Sequence, residues 1–115
     1  MKKAYYLAQC STCQRIIKHV NWKGQLQDIR IKKISLEQLD QMAKMSGSYE
    51  SLFSRRALKF KSMGLNKKAL NEDDYRKLIL EEDTFLKRPV FIVNDKIFIG
   101  NSKKTIEALN STLNE

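Results

Sequence analysis

The stretch Ala4-Tyr5-Tyr6-Leu7-Ala8-Gln9-Cys10-Ser11-Thr12-Cys13-Gln14-Arg15-Ile16-Ile17-Lys18-His19-Val20 decides the reading of this chain. Ala4 to Leu7 form a short aromatic and aliphatic run that predicts a strand over 4–7. Helix follows at once. Cys13, Ile16, Ile17 and Val20 recur at i, i+3, i+4 and i+7 and so share one helical face, with Cys10 or Ser11 at its start. A C-x-x-C pair between a strand and a helix suits redox chemistry. The first cysteine meets unpaired backbone N–H groups and the positive end of the helix dipole, both of which favour thiolate. The second lies one turn on, within reach of a mixed disulfide formed at the first.

Outward from this motif, Gly24 closes the first unit. Leu26, Ile29 and Ile31 predict a strand over 26–31. Ser35 with Gln38 has the form of a capping box. Leu36, Leu39, Met42 and Ala43 continue as a helix face, stopped at Ser46-Gly47-Ser48. Residues 54–63 predict a helix begun by Arg55-Arg56 and ended by Gly64. Asn71 is the expected N-cap of the next helix, with Glu72, Asp73 and Asp74 in its first turn, and Leu70 and Tyr75 at staple positions. Leu78 and Ile79 extend its apolar face. Pro89 to Val93 and Lys96 to Ile99 predict an antiparallel hairpin turning at Asn94-Asp95. Ile106, Leu109 and Leu113 mark a closing helix. The order is β-α-β-α-α-α-β-β-α. A β-α-β start and a β-β-α finish around a helical insert at about 35–83 is the thioredoxin plan: one α/β domain over 1–115 with a mixed sheet.

With 115 residues, 42% of them hydrophobic, the chain can build a core without metal or disulfide support. No apolar run approaches the ~20 residues of a membrane span. The charged N-terminus lacks the apolar stretch of a secretory signal. A cytoplasmic protein is expected. Net charge is +9, which favours acidic partners or small anions, or serves only solubility. The lysines are scattered, and no helix-turn-helix, zinc-finger or aromatic RNA-binding motif accompanies them, so direct nucleic-acid binding is not expected.

Several residues admit two readings. Structural zinc takes four ligands. Beyond Cys10 and Cys13 only His19 is offered, so no metal site is assigned. The thiols could also be inert and buried, Cys13 more readily than Cys10. Pro89, the single proline, either opens a strand in trans or faces the cysteines in cis, as in thioredoxin folds. Arg88, Arg55 and Arg56 suit oxyanions, because a guanidinium offers paired donors at fixed charge. Any one of them could equally be solvated. His19 reads as helix surface and Trp22 as packing.

Taken in order, Cys10-Ser11-Thr12-Cys13, Ser54-Arg55-Arg56-Ala57-Leu58-Lys59-Phe60 with Met63-Gly64-Leu65, Leu86-Lys87-Arg88-Pro89-Val90 and Ile99-Gly100-Asn101 resemble the ArsC/Spx family from Tyr5 to Leu113. That family joins glutaredoxin-coupled arsenate reductases to Spx transcription regulators. The resemblance implies a thioredoxin-like sheet with a helical insert. It makes Cys10 the nucleophile, with Arg56 (or Arg55) and Arg88 as oxyanion ligands. The family's third arginine falls at Gly100, and a further arginine falls near Gln14. Cys10, Cys13 and Arg88 are thus the candidate catalytic residues, and Arg56, Arg88 and Pro89 the candidate substrate-binding ones. No tightly bound cofactor is implied. Electrons would come from glutathione, glutaredoxin or thioredoxin, to a monomer. C-x-x-C and Gly100 lean toward the regulators, whose partner is the RNA polymerase alpha subunit. A reductase, a redox-sensing regulator, and a relative using the thiols for neither role all stay open.

Overall fold

The structure, a computed structural model, describes Met1–Glu115. It contains four strands and five α-helices in the order expected from the sequence. They are β1 (Lys2–Tyr6), α1 (Ser11–His19), β2 (Gln25–Asp28), α2 (Leu36–Ser46), α3 (Leu58–Ser62), α4 (Glu72–Glu81), β3 (Val90–Val93), β4 (Lys96–Ile99) and α5 (Lys103–Leu113). The chain divides into two compact units, Met1–Lys33 with Arg88–Glu115, and Ile34–Lys87. No helix is long and apolar enough to cross a membrane.

The first unit holds the sheet, ordered β2-β1-β3-β4. β1 pairs parallel with β2 and antiparallel with β3, and β3 pairs antiparallel with β4. The mixed sheet follows from connectivity. A helical crossover returns β2 parallel to β1, whereas the two-residue turn at Asn94-Asp95 forces β4 antiparallel to β3. Asn94 takes φ 56° there, a conformation asparagine tolerates. Alternation along β1 and β3 sends Ala4, Phe91 and Val93 to one face, where Ile16, Val20, Trp22 and Leu109 complete a core. Trp22 meets Phe91 edge-on with ring centroids 5.0 Å apart, and its indole N–H donates to the Gln25 carbonyl. Tyr5, Val90 and Ile92 are buried as well. β3 is therefore buried along its whole length and reads as an unbroken apolar run.

The second unit is helical. Ser35 and Gln38 form the capping box that starts α2, and Gly47 ends it at φ 99°, in the left-handed region where glycine carries no Cβ penalty. Asn71 caps α4 and forms a second capping box with Asp74. Phe53 is fully buried and packs against Phe60, Tyr75 and Phe85. Arg76 of α4 ties to Asp40 of α2 at 2.9 Å, and the Tyr49 hydroxyl donates to the same carboxylate.

Three boundaries differ from the sequence reading. β1 covers 2–6 rather than 4–7. β2 ends at Asp28, because the Asp28 carbonyl accepts from the N–H groups of both Ile31 and Lys32 and turns the chain; Ile31 is left 86% exposed. The helix expected over 54–63 is only Leu58–Ser62, so Arg55 and Arg56 precede it in a turn instead of beginning it. An antiparallel bridge between Phe53 and Leu86, and the Ser54 N–H donating to the Phe85 carbonyl at 2.7 Å, hold the chain just before that turn in place. Tertiary pairing overrides helical spacing here.

Candidate active site

The topology places the cysteines. β1 runs in the middle of the sheet and delivers Leu7–Cys10 off its C-terminal end into α1. Because Tyr5 pairs with Val90 on the antiparallel neighbour, Arg88 and Pro89 enter β3 at that same end. Cys10, Cys13, Arg88 and Pro89 all belong to the first unit, whereas Arg56 belongs to the second. The Arg88–Pro89 peptide is cis, and the Pro89 carbonyl accepts from the Gly100 N–H at 2.9 Å.

Cys10 is the N-cap of α1. Its backbone is extended (φ −87°, ψ 109°), and its Sγ accepts the Cys13 N–H at 3.4 Å. A cap oxygen normally fills this place, satisfying a helix N–H that has no partner within the helix. Here sulfur does so, and the bond strengthens when the sulfur is charged. Cys10 is half-buried, and Cys13 is fully buried on the core face of α1. Neither is in a disulfide.

The two thiols are shifted in opposite directions. Burial raises the Cys10 pKa, but the N–H and thiol of Cys13, the positive charge of Arg88 and the Thr12 N–H outweigh it and hold Cys10 below the ordinary value. Cys13 is pushed up to about 11, chiefly by burial. Its hydrogen bond to Cys10 and the charge there add to the rise, while a backbone hydrogen bond from Leu7 and the charge of Arg88 oppose it. Of the two thiols Cys10 is therefore the one that ionises first, beside a Cys13 that holds its proton.

The other singled-out residues fall as follows. Arg55 is committed within the second unit: it pairs with Glu50 at 2.7 Å and donates to the Tyr75 hydroxyl at 2.8 Å. Arg56 is exposed in the turn before α3. His19 is exposed in the last turn of α1, and Trp22 packs in the core. No three His, Cys, Asp or Glu side chains gather as a metal site would require. A cavity of about 180 Å³ lies beside the loop before Cys10, lined by Leu7, Ala8, Gln9, Asp28, Arg30 and Ile31. A wider cleft of about 580 Å³ opens along edge strand β2 and includes none of the cysteine-site residues.

Sequence reasoning missed the residues that hold that loop. The Asp28 carboxylate accepts from Ala8 N–H at 3.3 Å and from Arg30 N–H at 3.0 Å. The Gln14 side-chain amide donates to the Ala8 carbonyl at 3.0 Å. An aspartate just past a strand signals a local turn, but nothing in its spacing points back across 20 residues.

Solved structures of the same fold cover nearly the whole chain. The YffB protein superposes with a TM-score of 0.81 at 20% identity, covering 98% of this chain and 99% of its own. A Yersinia pestis protein provisionally described as an arsenate reductase gives 0.76 at 16% identity, covering 95% and 98%. Arsenate reductase from Vibrio cholerae gives 0.75 at 15% identity, covering 94% of each chain. These likenesses establish an ArsC-type, thioredoxin-like architecture. A search of curated protein sequences finds no match. The sequence profile of the ArsC family spans residues 5–109, taking in both cysteines, Arg56, Arg88 and Pro89, and by that match this chain belongs to the ArsC family.

Proposed function

We propose that the protein is a cytoplasmic thiol-dependent reductase of the arsenate reductase-like type, with Cys10 as nucleophile and Cys13 as resolving thiol. The observation that carries this reading is Cys10 Sγ standing as N-cap acceptor of α1, with the Cys13 N–H on it. A thiolate there is stabilised before any substrate arrives, which is what an attacking sulfur requires.

The substrate is a small oxyanion or a glutathione mixed disulfide. With the disulfide, Cys10 thiolate attacks one sulfur, and the other leaves as a thiolate carrying the bonding pair. Cys13, losing its proton, then attacks Cys10 Sγ and expels glutathione thiolate. The substrate gains two electrons and the protein holds a Cys10–Cys13 disulfide, which glutathione, glutaredoxin or thioredoxin reduces. The first step removes the charge of Cys10, one of the causes keeping Cys13 protonated, so attack makes resolution easier. With an oxyanion, Cys10 thiolate displaces one hydroxyl, which takes a proton from solvent and leaves as water. A thiolate then attacks the bound sulfur, and the sulfur–centre bond leaves its pair on the central atom, reducing it by two electrons.

Arg88 stabilises the Cys10 thiolate and binds the anion; Pro89 shapes the surface beside the cysteines. The family pattern offers Arg56 as a further anion ligand. Arg56 suits this better than Arg55, which is committed to Glu50 and Tyr75. Gly100 supplies no guanidinium, which favours the mixed disulfide.

The test is turnover. Purified protein is assayed with arsenate and with a glutathionylated substrate, each with the glutathione–glutaredoxin and the thioredoxin systems. Turnover abolished by Cys10→Ser supports the reading. No turnover in any combination overturns it. Redox-dependent capture of the RNA polymerase alpha C-terminal domain would then support a regulator with Cys10–Cys13 as a disulfide switch.

A further inference from the structure

We propose that Gln14 and Asp28 are positioning residues that clamp the loop carrying Cys10, and so set its geometry as nucleophile. The inference rests on the reading of Cys10 given above.

Residues 7–9 lie between β1 and the cap of α1, outside both elements. One backbone bond braces them, from Cys10 N–H to the Leu7 carbonyl at 3.0 Å. At Ala8, which is exposed, side chains take over. Its N–H goes to Asp28 Oδ2 and its carbonyl to Gln14 Nε2. Both polar groups of one peptide residue are therefore held from outside the loop. One anchor comes from the end of β2 and the other from the first turn of α1. Arg30 adds a tie at the next residue, donating from Nη1 to Gln9 Oε1 at 3.3 Å.

The anchors are themselves fixed. Asp28 pairs with Tyr6 in the β1–β2 register. Its Oδ1 accepts the Arg30 N–H, and its carbonyl accepts from Ile31 at 3.1 Å and Lys32 at 2.8 Å. Gln14 is held by its helix, its N–H donating to the Cys10 carbonyl at 3.1 Å.

The consequence for chemistry is geometric. Cys10 Sγ receives the Cys13 N–H at 3.4 Å only while Cys10 keeps its extended cap conformation. If Ala8 drifts, Cys10 swings off the helix end and the thiolate loses a donor. Misplacement on the order of 1 Å at a reacting group can lower rates ~100-fold. Charged groups bordering the loop are Asp28 and Arg30 from the β2 side and Arg88 from the start of β3.

The experiment follows the pH dependence of Cys10 alkylation by iodoacetamide in the intact folded chain, with peptide mass mapping to separate Cys10 from Cys13. Gln14 is exposed on α1, so Gln14→Ala keeps the fold. It is expected to raise the apparent Cys10 pKa and slow alkylation at neutral pH by about 3- to 10-fold, the effect of half to one unit. Gln14→Lys restores a donor and is expected to recover most of the rate; Gln14→Glu has none and is not. Asp28→Ala repeats the loss, and Asp28→Asn, keeping an acceptor for Arg30, falls between. Unchanged Cys10 profiles in Gln14→Ala and in a folded Asp28→Ala would overturn the clamp. Should Asp28→Ala not fold, the Gln14 series decides alone. An ordinary profile in the wild type would instead overturn the activated-nucleophile reading, and the clamp with it.

Discussion

The Cys13 N–H meets Cys10 Sγ at 3.4 Å, so the first turn of α1 is capped by the sulfur proposed to attack the substrate. Capping and activation are one contact. What stabilises the helix end also stabilises the thiolate, and whatever loosens one loosens the other.

Cys10 is therefore expected to titrate below the ~8.5 of a free cysteine. Arg88→Ala removes a positive charge that lowers it and is expected to shift it upward. Alkylation rate against pH, read at Cys10 in both proteins, checks this. The remaining N–H donors should keep the variant from returning fully to the ordinary value. Equal profiles would place Arg88 outside the working electrostatics of the thiolate.

Alkaline stability is the second expectation. Cys13 and Tyr5 have folded pKa values raised mainly by burial. A raised value means the folded state holds the proton more tightly than the unfolded chain. The stabilisation is fully present below the unfolded value and is lost as pH rises through the folded one. For Cys13 the window runs from ~8.5 to about 11. Cys10 has the opposite sign: its contribution is present above the unfolded value and fades as pH falls through the lowered folded value. Thermal midpoints of wild type and Cys13→Ala, followed from pH 8 upward, should converge. A constant gap would mean that Cys13 does not titrate differently on folding.

Much of this molecule was legible in its sequence because local rules and tertiary structure agree. The Ser35 box, the Asn71 cap and the Val90–Val93 and Lys96–Ile99 hairpin each carry their signal within a few residues. Reading failed where a distant partner decides. Nothing around Arg55 announces the Phe53–Leu86 bridge that keeps 54–57 out of helix. In the same way, Cys10 was visible as a C-x-x-C residue at a helix start, but the Ala8 clamp was not. Its two anchors stand six and 20 residues away on different elements.

Gly24 carries a steric prediction. A Cβ there would sit 2.6 Å from both the Lys2 carbonyl oxygen and Trp22 Cζ2. Trp22 cannot give way easily, because it packs on Phe91 and donates to Gln25. Gly24→Ala is thus expected to destabilise the fold by about 1–3 kcal/mol, as overpacked cores do. Chemical denaturation with an unchanged slope and a lower midpoint would register it. An unaffected midpoint would mean the β1–β2 edge relaxes freely.

Gly100 offers a test between the two proposed substrate classes. Its backbone sits at φ 86°, nothing lies within 4 Å of where a Cβ would stand, and its N–H holds the Pro89 carbonyl. An arginine there has room but pays the left-handed penalty, about 1 kcal/mol. Gly100→Arg is accordingly expected to fold with slightly lower stability. It also puts an arginine beside Pro89, where the resemblance places the family's third oxyanion ligand. If the active site works on an oxyanion, turnover of arsenate should rise in the variant, with KM falling more than kcat changes, because a fixed guanidinium binds the ground-state anion as well as the transition state. If the substrate is a glutathione mixed disulfide, its turnover should stay level or decline while arsenate remains unprocessed. Side-by-side kinetics of wild type and variant on both substrates decide between them.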